Sequence, residues 1–343
     1  MQTRSLGDTG LQITPLVLGA MMLGRWGEPD HDKSIAIIHR ALDAGINLVD
    51  TADIYSYGES EVIVGKALLG RRDDVVLATK FHNPMHRTDP LQRGNSRRWI
   101  IREVENSLRR LQTDWIDLYQ VHRPEPGVNF AETLGTLSDL VQQGKIRYIG
   151  TSTYPAASIV EGQWIAERHN YHRVVSEQPP YSIFVRGIER DVLATTQQYQ
   201  MGTITWSPLA GGWLSGRYRS DAVTEPDPSS RASNGNRAFD PASPANAVKL
   251  AAADELAKLA DEAGISVVEL ALAFVLEHPG VTSAIIGPRT LEQLQTQLGA
   301  PDITLSKDVL DRIDEIVEPG TNLSGMDSGW TPPSLDPSAR RRH

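Results

Sequence analysis

Eight short apolar runs, spaced along the chain at nearly regular intervals, constrain the fold more than any other feature of the sequence. Each run is rich in Val, Ile or Leu, and each predicts a buried strand. They are LVLG (16–19), INLVD (46–50), VVLATK (75–80), WIDLYQVH (115–122), IRYIGTS (146–152), RVVSEQ (173–178), GTITW (202–206) and TSAIIG (282–287). Most end about 30 residues apart, the length of a strand plus a crossover helix, and a longer insertion precedes the last run.

Helical spacing between the runs completes a repeating strand and helix pattern. Ile35, Ile38 and Leu42 recur at intervals of three and four residues, which places them on one face of a helix, and Gly45 follows as a helix stop. Strands that are apolar along their whole length are typical of parallel sheets buried on both faces. Eight such units predict one closed α/β barrel, the (β/α)8 TIM barrel, rather than an open sheet or two domains.

The remaining segments predict additions to this barrel. They are an N-terminal β-hairpin (2–14), a long Ser, Pro and Asn-rich loop after the seventh strand (212–246), and accessory helices at 247–263, 266–277 and 306–317. The barrel domain is expected to span residues 1–318. The Pro, Gly and Ser-rich segment 319–343 is expected to be a solvated C-terminal tail.

Composition and charge exclude several classes of partner. The 343 residues are 40% apolar and 22% charged, the balance of a globular protein. Thirty-four Lys and Arg against 43 Asp and Glu leave a net charge of -9, which disfavours nucleic acid and anionic membranes as partners. The absence of Cys excludes thiolate metal sites and Cys nucleophiles. No segment is typical of a signal peptide or a membrane span, so we expect a cytoplasmic protein acting on a small molecule.

Polar side chains stand at the predicted strand ends, where barrel enzymes place their chemistry. They are Asp50, Lys80, His122, Ser152 and Gln178, with Tyr55 in the loop just after Asp50. Each alone has an ordinary structural interpretation, such as a loop cap, a surface lysine or a hydrogen-bonded rim histidine. Their combination favours a functional interpretation.

Four of these side chains together suit proton transfer to a carbonyl oxygen. A phenol with a pKa of about 10 is a poor donor at neutral pH, but a nearby cation stabilises its phenolate. Lys80 can supply that cation to Tyr55, and Asp50 can keep the ammonium charged in a half-buried site. His122 can orient a carbonyl oxygen toward the phenol. The set contains no nucleophile.

The motifs that carry these residues resemble the aldo-keto reductase superfamily over about residues 4–317. They are GINLVDTADIYSYGESE (45–61), Lys80, VHRPE (121–125), GTS (150–152), SEQPPYS (176–182) and WSPLAGGWLSGRY (206–218). Trp206 stands where other branches of the superfamily have Tyr. The sequence is therefore most similar to the branch that contains bacterial general reductases and potassium-channel β subunits.

This resemblance implies an NADPH-dependent carbonyl reductase with NADPH or NADP lying across the barrel mouth. Tyr55 would be the general acid, Asp50 and Lys80 its tuning pair, and His122 the orienting group. Ser152 and Gln178 would hold the carboxamide of the cofactor, and Trp206 would stack on its nicotinamide ring. The remaining cofactor contacts implied are Ser207, Leu209, Gly211, Arg217, Arg231, Gly287, Arg289, Gln293 and Gln297. Among them, Arg289 would bind the 2'-phosphate, because a guanidinium forks onto phosphate.

Substrate walls and departures from the family pattern complete the prediction. The wall candidates are Met21, Trp26, His82 and Trp213. Thr153 replaces an Asn beside the carboxamide and so removes an amide donor, while Thr296 and Gln297 replace a Glu and Asn pair on the adenine side. We also expect the loop 212–246 to lie over the mouth and to be ordered by the cofactor through Arg217 and Arg231.

Competing functions find less support. No Gly-rich dinucleotide fingerprint follows a strand, and His82 and His86 flank Pro84, so neither a Rossmann site nor a metal site is predicted. A barrel glycosidase needs two carboxylates at strand ends, and the seventh run ends in Trp-Ser-Pro. A cofactor-binding regulatory subunit without turnover stays open, because it would keep the same fold and the same four side chains.

Overall fold

Eight parallel strands close into a barrel in the computed structural model, which describes residues 1–219, 239–336, 338 and 339. In chain order the strands are β1 (Arg4–Ser5), β2 (Gln12–Ile13), β3 (Leu16–Gly19), β4 (Leu48–Asp50), β5 (Val76–Phe81), β6 (Ile116–Val121), β7 (Ile146–Ser152), β8 (Val174–Gln178), β9 (Gly202–Thr205) and β10 (Ser283–Ile286). Strands β3 to β10 pair in sequence order, and β10 pairs with β3 to close the ring. All eight apolar runs are barrel strands, so the predicted fold is confirmed.

Helices surround the barrel and connect its strands. They are α1 (His31–Asp43), α2 (Glu59–Ala67), α3 (Arg97–Leu111), α4 (Phe130–Gln142), α5 (Ala156–His169), α6 (Val192–Gln198), α7 (Ala247–Ala263), α8 (Val267–Glu277), α9 (Leu291–Gln297) and α10 (Lys307–Ile316). Helices α1 to α6 each join two successive barrel strands, whereas α7 and α8 both lie between β9 and β10. None of these described helices combines the length and the apolar character needed to cross a membrane.

The N-terminal hairpin plugs one end of the barrel. Strands β1 and β2 pair antiparallel, as predicted, and Leu6 and Ile13 join the apolar cluster that fills the barrel interior. A Cβ at Gly202, the first residue of β9, would lie 2.3 Å from Leu6, so the hairpin packs directly on this end. Because side chains fill the interior and the hairpin covers the amino ends of the strands, the open face is the opposite one.

The C-terminal tail is docked at residues 320–323 and at Gly329, where the expectation of a solvated tail is wrong, whereas Gly325 and Met326 are exposed as expected. The backbone N–H of Gly320 donates to Glu189 at 2.8 Å, and that of Leu323 donates to the carbonyl of Phe184 at 3.0 Å. Gly329 packs on the indole of Trp206, because a Cβ there would lie 2.7 Å from Cζ2 of that ring. The closing residues 340–343 lie outside the described residues.

Candidate active site

A cavity of about 640 Å³ opens at the carboxyl ends of the barrel strands, and we call it the mouth cavity. It collects most of the predicted site residues. Those that line it are Met21, Trp26, Asp50, Tyr55, His122, Ser152, Gln178, Trp206, Ser207, Leu209, Gly211, Arg217, Gly287, Arg289, Gln293 and Gln297. Lys80 lies directly beneath this surface and is fully buried. Arg231 and residues 220–238 of the loop after the seventh barrel strand lie outside the described residues.

The ammonium group of Lys80 joins Asp50 to Tyr55. Its Nζ donates to Oδ1 of Asp50 at 2.5 Å, to the carbonyl of Thr51 at 2.9 Å and to Oη of Tyr55 at 3.3 Å. Strand pairing brings the two charged residues together, because Asp50 is the last residue of β4 and Lys80 stands near the end of β5. Tyr55 follows in a single helical turn after β4, which places its phenol over the ammonium. We call Asp50, Tyr55, Lys80 and His122 the reaction end of the cavity.

Two buried amides hold Asp50 from below. Gln120 Nε2 donates to Oδ2 of Asp50 at 3.0 Å, and Gln178 Nε2 donates to the same oxygen at 2.8 Å. Gln178 also donates to Oε1 of Gln120 at 3.0 Å. Both carboxylate oxygens of Asp50 therefore accept hydrogen bonds within the protein, and its position is fixed. Gln120 was not among the residues predicted from the sequence.

Electrostatics keep the lysine charged at the reaction end. Burial is the largest single influence and lowers the pKa of Lys80, but Asp50 and Tyr55 together outweigh burial and hold that pKa above its ordinary value. Since the ordinary value for Lys is already about 10.4, the ammonium stays protonated across the physiological range. A fixed positive charge thus lies 3.3 Å from the phenol oxygen of Tyr55.

His122 is neutral and its tautomer is set by a neighbouring amide. Burial, followed by the charges of Lys80 and Arg123, brings the pKa of His122 well below its usual value. Asn83 Nδ2 lies 3.0 Å from Nδ1 of His122, and an amide nitrogen can only donate. Nδ1 is therefore the acceptor and Nε2 carries the ring proton. Asn83 lines the mouth cavity and was missed by the sequence analysis.

Ser152 and Thr153 continue the cavity wall beyond His122. Ser152 Oγ donates to the carbonyl of Gln178 at 2.9 Å, which ties the end of β7 to the end of β8. Thr153, one of the departures from the family pattern, has a left-handed φ of 62° and is buried. Its Cγ2 would lie 3.2 Å from a Cβ at Gly329, so it packs against the docked tail.

The other half of the cavity, which we call the outer end, is formed by residues 207–218 and 287–297. Its backbone is unusual, because Ser207, Ala210, Gly211 and Gly212 all have positive φ. A Cβ at Gly212 or Gly287 would meet no described atom within 4 Å, so both glycines face open space. This surface leaves room for a ligand to approach the backbone closely.

Two buried polar atoms at the outer end have no hydrogen-bond partner among the described residues. They are Oγ of Ser215 and Oε1 of Gln297, and both residues line the cavity. Buried polar atoms in proteins are nearly always paired, so these two indicate that a ligand completes the site. Arg217 and Arg289 line the same end, and Oε1 of Gln293 accepts from the backbone N–H of Arg289 at 2.9 Å. A polar, anionic cofactor fits the two arginine cations, the hydroxyl of Ser215 and the acceptor oxygen of Gln297.

Two of the predicted wall residues do not line the mouth cavity. The indole of Trp213 is only 1% exposed and packs on the ring of Tyr218, with centroids 4.4 Å apart, so it belongs to the core. His82 turns away, because its backbone has a φ of 137° and its Nδ1 lies 2.9 Å from Oδ1 of Asn95. The next residue, Asn83, occupies the wall instead. Within the described part of the chain, no three His, Asp or Glu side chains are grouped in a way that could hold a metal ion.

Comparison with known proteins agrees with this geometry. The sequence profile of the aldo/keto reductase family matches residues 15–318. The chain is 37% identical to the aldo-keto reductase YhdN of Bacillus subtilis, over 93% of this chain and 94% of that protein. It is 35% identical to a putative voltage-gated potassium channel subunit beta of Schizosaccharomyces pombe, over 92% of each chain. It is 32% identical to versiconal hemiacetal acetate reductase of Aspergillus parasiticus, over 92% of this chain and 96% of that protein.

Proposed function

Because the chain belongs to the aldo/keto reductase family, an oxidoreductase family, we propose that it reduces aldehydes or ketones to alcohols with NADPH. The observation that carries the proposal is the position of Lys80 Nζ between Asp50 and Tyr55, directly beneath a cavity wide enough for a carbonyl substrate. The reaction needs a proton for the carbonyl oxygen as that oxygen gains negative charge. In this proposal Tyr55 supplies that proton.

Each residue of the reaction end has its own role in the proposed reaction. Tyr55 gives the proton of its Oη to the carbonyl oxygen, and the phenolate that remains lies next to the ammonium of Lys80. Asp50 keeps that ammonium in place, and the Nε2–H of His122 is left to donate to the same carbonyl oxygen. NADPH, when bound, supplies the hydride. No covalent intermediate with the protein is required.

The arrangement of the cavity supports the cofactor contacts that the family resemblance implies. The amide of Gln178 donates to Asp50 and Gln120, which leaves its oxygen to accept from a carboxamide. Ser152 lies beside it, and Trp206 offers a ring face in the same wall. At the outer end, Arg217 and Arg289 are the cations for phosphate groups, with Arg289 assigned to the 2'-phosphate. Gln297, whose Oε1 has no partner within the described part of the chain, is the polar group for the adenine side.

The test is steady-state oxidation of NADPH with a panel of aromatic and aliphatic aldehydes, followed at 340 nm with identification of the alcohol product. We expect turnover above about 0.1 per second with at least one aldehyde, since ordinary turnover numbers lie well above that value. The control omits the aldehyde, which measures NADPH oxidation by the protein alone. Failure of every aldehyde to raise the rate would overturn the proposal.

A second proposal is a cofactor-binding regulatory subunit with little turnover. Relatives named as potassium-channel β subunits in Schizosaccharomyces pombe and Arabidopsis thaliana favour it, because they match at 35% and 32% identity. The same assay separates the two, since a regulatory subunit would bind NADPH without reducing aldehydes. A cytoplasmic location and the absence of a nucleic-acid partner remain predictions from composition and charge.

A further inference from the structure

Arg123 places a positive charge beside the reaction end of the mouth cavity, and the proposed chemistry does not use this charge. It follows His122 directly and lines the cavity. Among the described residues that line the cavity, the only carboxylate is Asp50, and Asp50 is already bound to Lys80. The two other lining arginines, Arg217 and Arg289, belong to the outer end. Arg123 is therefore a cation beside the reacting atoms rather than beside the proposed phosphate contacts.

The guanidinium of Arg123 is held by neutral groups on one of its edges. Its Nη1 donates to the carbonyl of His122 at 2.6 Å and lies 3.4 Å from Oγ of Ser152. Its Cζ lies 5.8 Å from the ring centroid of Trp206, so the group is braced by an aromatic side chain as well. Within the described part of the chain, no carboxylate forms an ion pair with Arg123, and its Nε and Nη2 have no hydrogen-bond partner.

After burial and Tyr55, the group that acts on the pKa of Arg123 is the carboxyl of Glu177, which has other hydrogen-bond partners. Glu177, a residue of β8, is fully buried; its Oε2 lies 2.5 Å from Oγ1 of Thr151 in β7, and its Oε1 accepts from the backbone N–H of Tyr154. Burial raises the pKa of Glu177 to about 7, so this carboxyl carries only part of a negative charge at neutral pH. It is not a contact partner of the guanidinium.

The half-buried guanidinium of Arg123 lacks hydrogen-bond partners, among the described residues, for Nε and Nη2. Placing a charge away from water is unfavourable unless the charge is paired, and Nε and Nη2 of an arginine form the fork that binds a carboxylate through two parallel hydrogen bonds. We infer that Arg123 binds a carboxylate on the substrate, so that the preferred substrates are oxo acids whose carboxylate lies a few bonds from the carbonyl. This inference rests on the proposed carbonyl reduction at the same site.

The guanidinium of Arg123 lies close to the side chains that are proposed to hold the carbonyl oxygen. His122 and Arg123 are consecutive, and the ring of His122 lies 5.8 Å from the ring of Tyr55. The charge of Arg123 helps to lower the pKa of His122, and Tyr55 in turn acts on the pKa of Arg123, so the guanidinium lies near both side chains. We therefore expect a short spacer between the carbonyl and the carboxylate of the substrate. An uncharged aldehyde would leave the cation unpaired, and therefore we expect discrimination in KM more than in kcat.

Matched substrates test the inference. We would compare 2-, 3- and 4-carboxybenzaldehyde with the methyl ester of each, because each pair differs mainly in the charge. We expect at least one acid to exceed its ester about tenfold or more in kcat/KM, the scale of a charge-assisted hydrogen bond. Arg123→Met should bring the ratio of kcat/KM for each acid to that for its ester down toward one. Arg123→Lys should keep part of the acid preference, because the charge remains and the fork is lost.

Two controls separate a substrate contact from other roles of the arginine. Arg168→Met changes an exposed arginine in the last turn of α5, and it should leave the acid preference intact. The dissociation constant of NADPH should be nearly the same for wild type and Arg123→Met. If Arg123→Met instead weakened NADPH as much as it weakened the acids, the arginine would be a cofactor contact and the inference would fail.

Direct binding gives an answer that does not depend on turnover. Calorimetric titration of the NADP-loaded protein with benzoate and with benzamide should show benzoate binding about tenfold more tightly, and Arg123→Met should abolish the difference. Equal affinities for the two ligands would overturn the inference. Reduction of the esters without any preference for the acids would overturn it too, while the proposed function stood. If no aldehyde were reduced, the proposed function would fail and benzoate binding would still decide the role of Arg123.

Discussion

The two ends of the mouth cavity satisfy their polar groups in different ways. At the reaction end, Lys80 donates to three oxygens of the protein and both oxygens of Asp50 are occupied. At the outer end, Ser215 and Gln297 each present a buried polar atom that has no partner among the described residues. Hydrogen bonds within the protein therefore fix the side chains of the reaction end before any ligand binds. The polar atoms of the outer end depend on a bound ligand for their partners.

Because of this difference, we expect substitutions at the reaction end to change kcat and substitutions at the outer end to change the dissociation constant of the ligand. A side chain that is fixed before substrate arrives contributes to the transition state, so its loss should appear in kcat. A side chain whose partner is the ligand contributes to binding, so its loss should appear in the dissociation constant. Each substitution below therefore has a readout that it should move and another that it should leave alone.

The largest effect is expected from Tyr55→Phe at the reaction end. This change removes only the hydroxyl that lies 3.3 Å from Lys80, and it should lower kcat for aldehyde reduction about 100-fold or more. NADPH affinity, measured by quenching of protein fluorescence, should stay nearly unchanged. Tyr57→Phe is the matched control, because Tyr57 lies in the same helical turn with its side chain 45% exposed. A Tyr55→Phe variant with a tenth of wild-type turnover would remove Tyr55 from the role of general acid.

Behind the reaction end, Glu177 should make the stability of the fold depend on pH. Its folded pKa of about 7 lies above the ordinary value, so its contribution to stability is complete below about pH 4.5 and is lost as pH rises toward 7. The loss amounts to about 3 kcal/mol over that window. Glu177→Gln, a neutral isostere of the protonated carboxyl, should abolish it. Urea unfolding at pH 5 and pH 8 measures the difference, and parallel losses in the variant and the wild type would contradict this assignment.

The outer end should respond in affinity instead. Arg289→Ala removes the cation proposed for the 2'-phosphate, and it should weaken NADPH binding by about 1.5 to 3 kcal/mol, roughly ten- to a hundredfold. NADH, which lacks that phosphate, should lose little affinity and therefore serves as the internal control. The kcat at saturating NADPH should change much less than the affinity. Equal losses for both cofactors would mean that Arg289 is structural.

Sequence patterns predicted the barrel and much of the reaction end because both depend on strand periodicity. Asp50, Lys80 and His122 stand at strand ends, and barrel closure brings such ends together. Gln120 carried a usable signal that was missed: it lies two residues before His122, and residues two apart in a strand share a face. A polar side chain on the inward face of an apolar strand needs a buried partner, and that partner is Asp50.

Loops and backbone contacts explain what sequence patterns could not predict. Asn83 rather than His82 lines the cavity because the backbone turns at His82, and no periodicity encodes such a turn. Trp213 lies in a Gly-rich segment whose composition gives no indication of which way the indole points. The docked tail is held largely through backbone groups, such as the N–H of Leu323, which every sequence provides.

The smallest expected effect compares the two ends through one substitution, Ser to Ala, in the absence of cofactor. Ser152 Oγ has a partner in the protein, the carbonyl of Gln178, so Ser152→Ala should lower the free energy of unfolding by about 1 kcal/mol. Ser215 Oγ has no partner among the described residues, so Ser215→Ala removes a buried hydroxyl whose loss of hydration no described hydrogen bond offsets. It should raise the free energy of unfolding by about 0.5 to 1 kcal/mol. Urea unfolding of both variants without NADPH measures the sign of each change in the free energy of unfolding.

Saturating NADPH should then stabilise Ser215→Ala less than it stabilises the wild type, because the ligand can no longer bind this hydroxyl. Destabilisation of both variants to the same extent would show that Ser215 is satisfied without ligand and that the two ends do not differ in this respect.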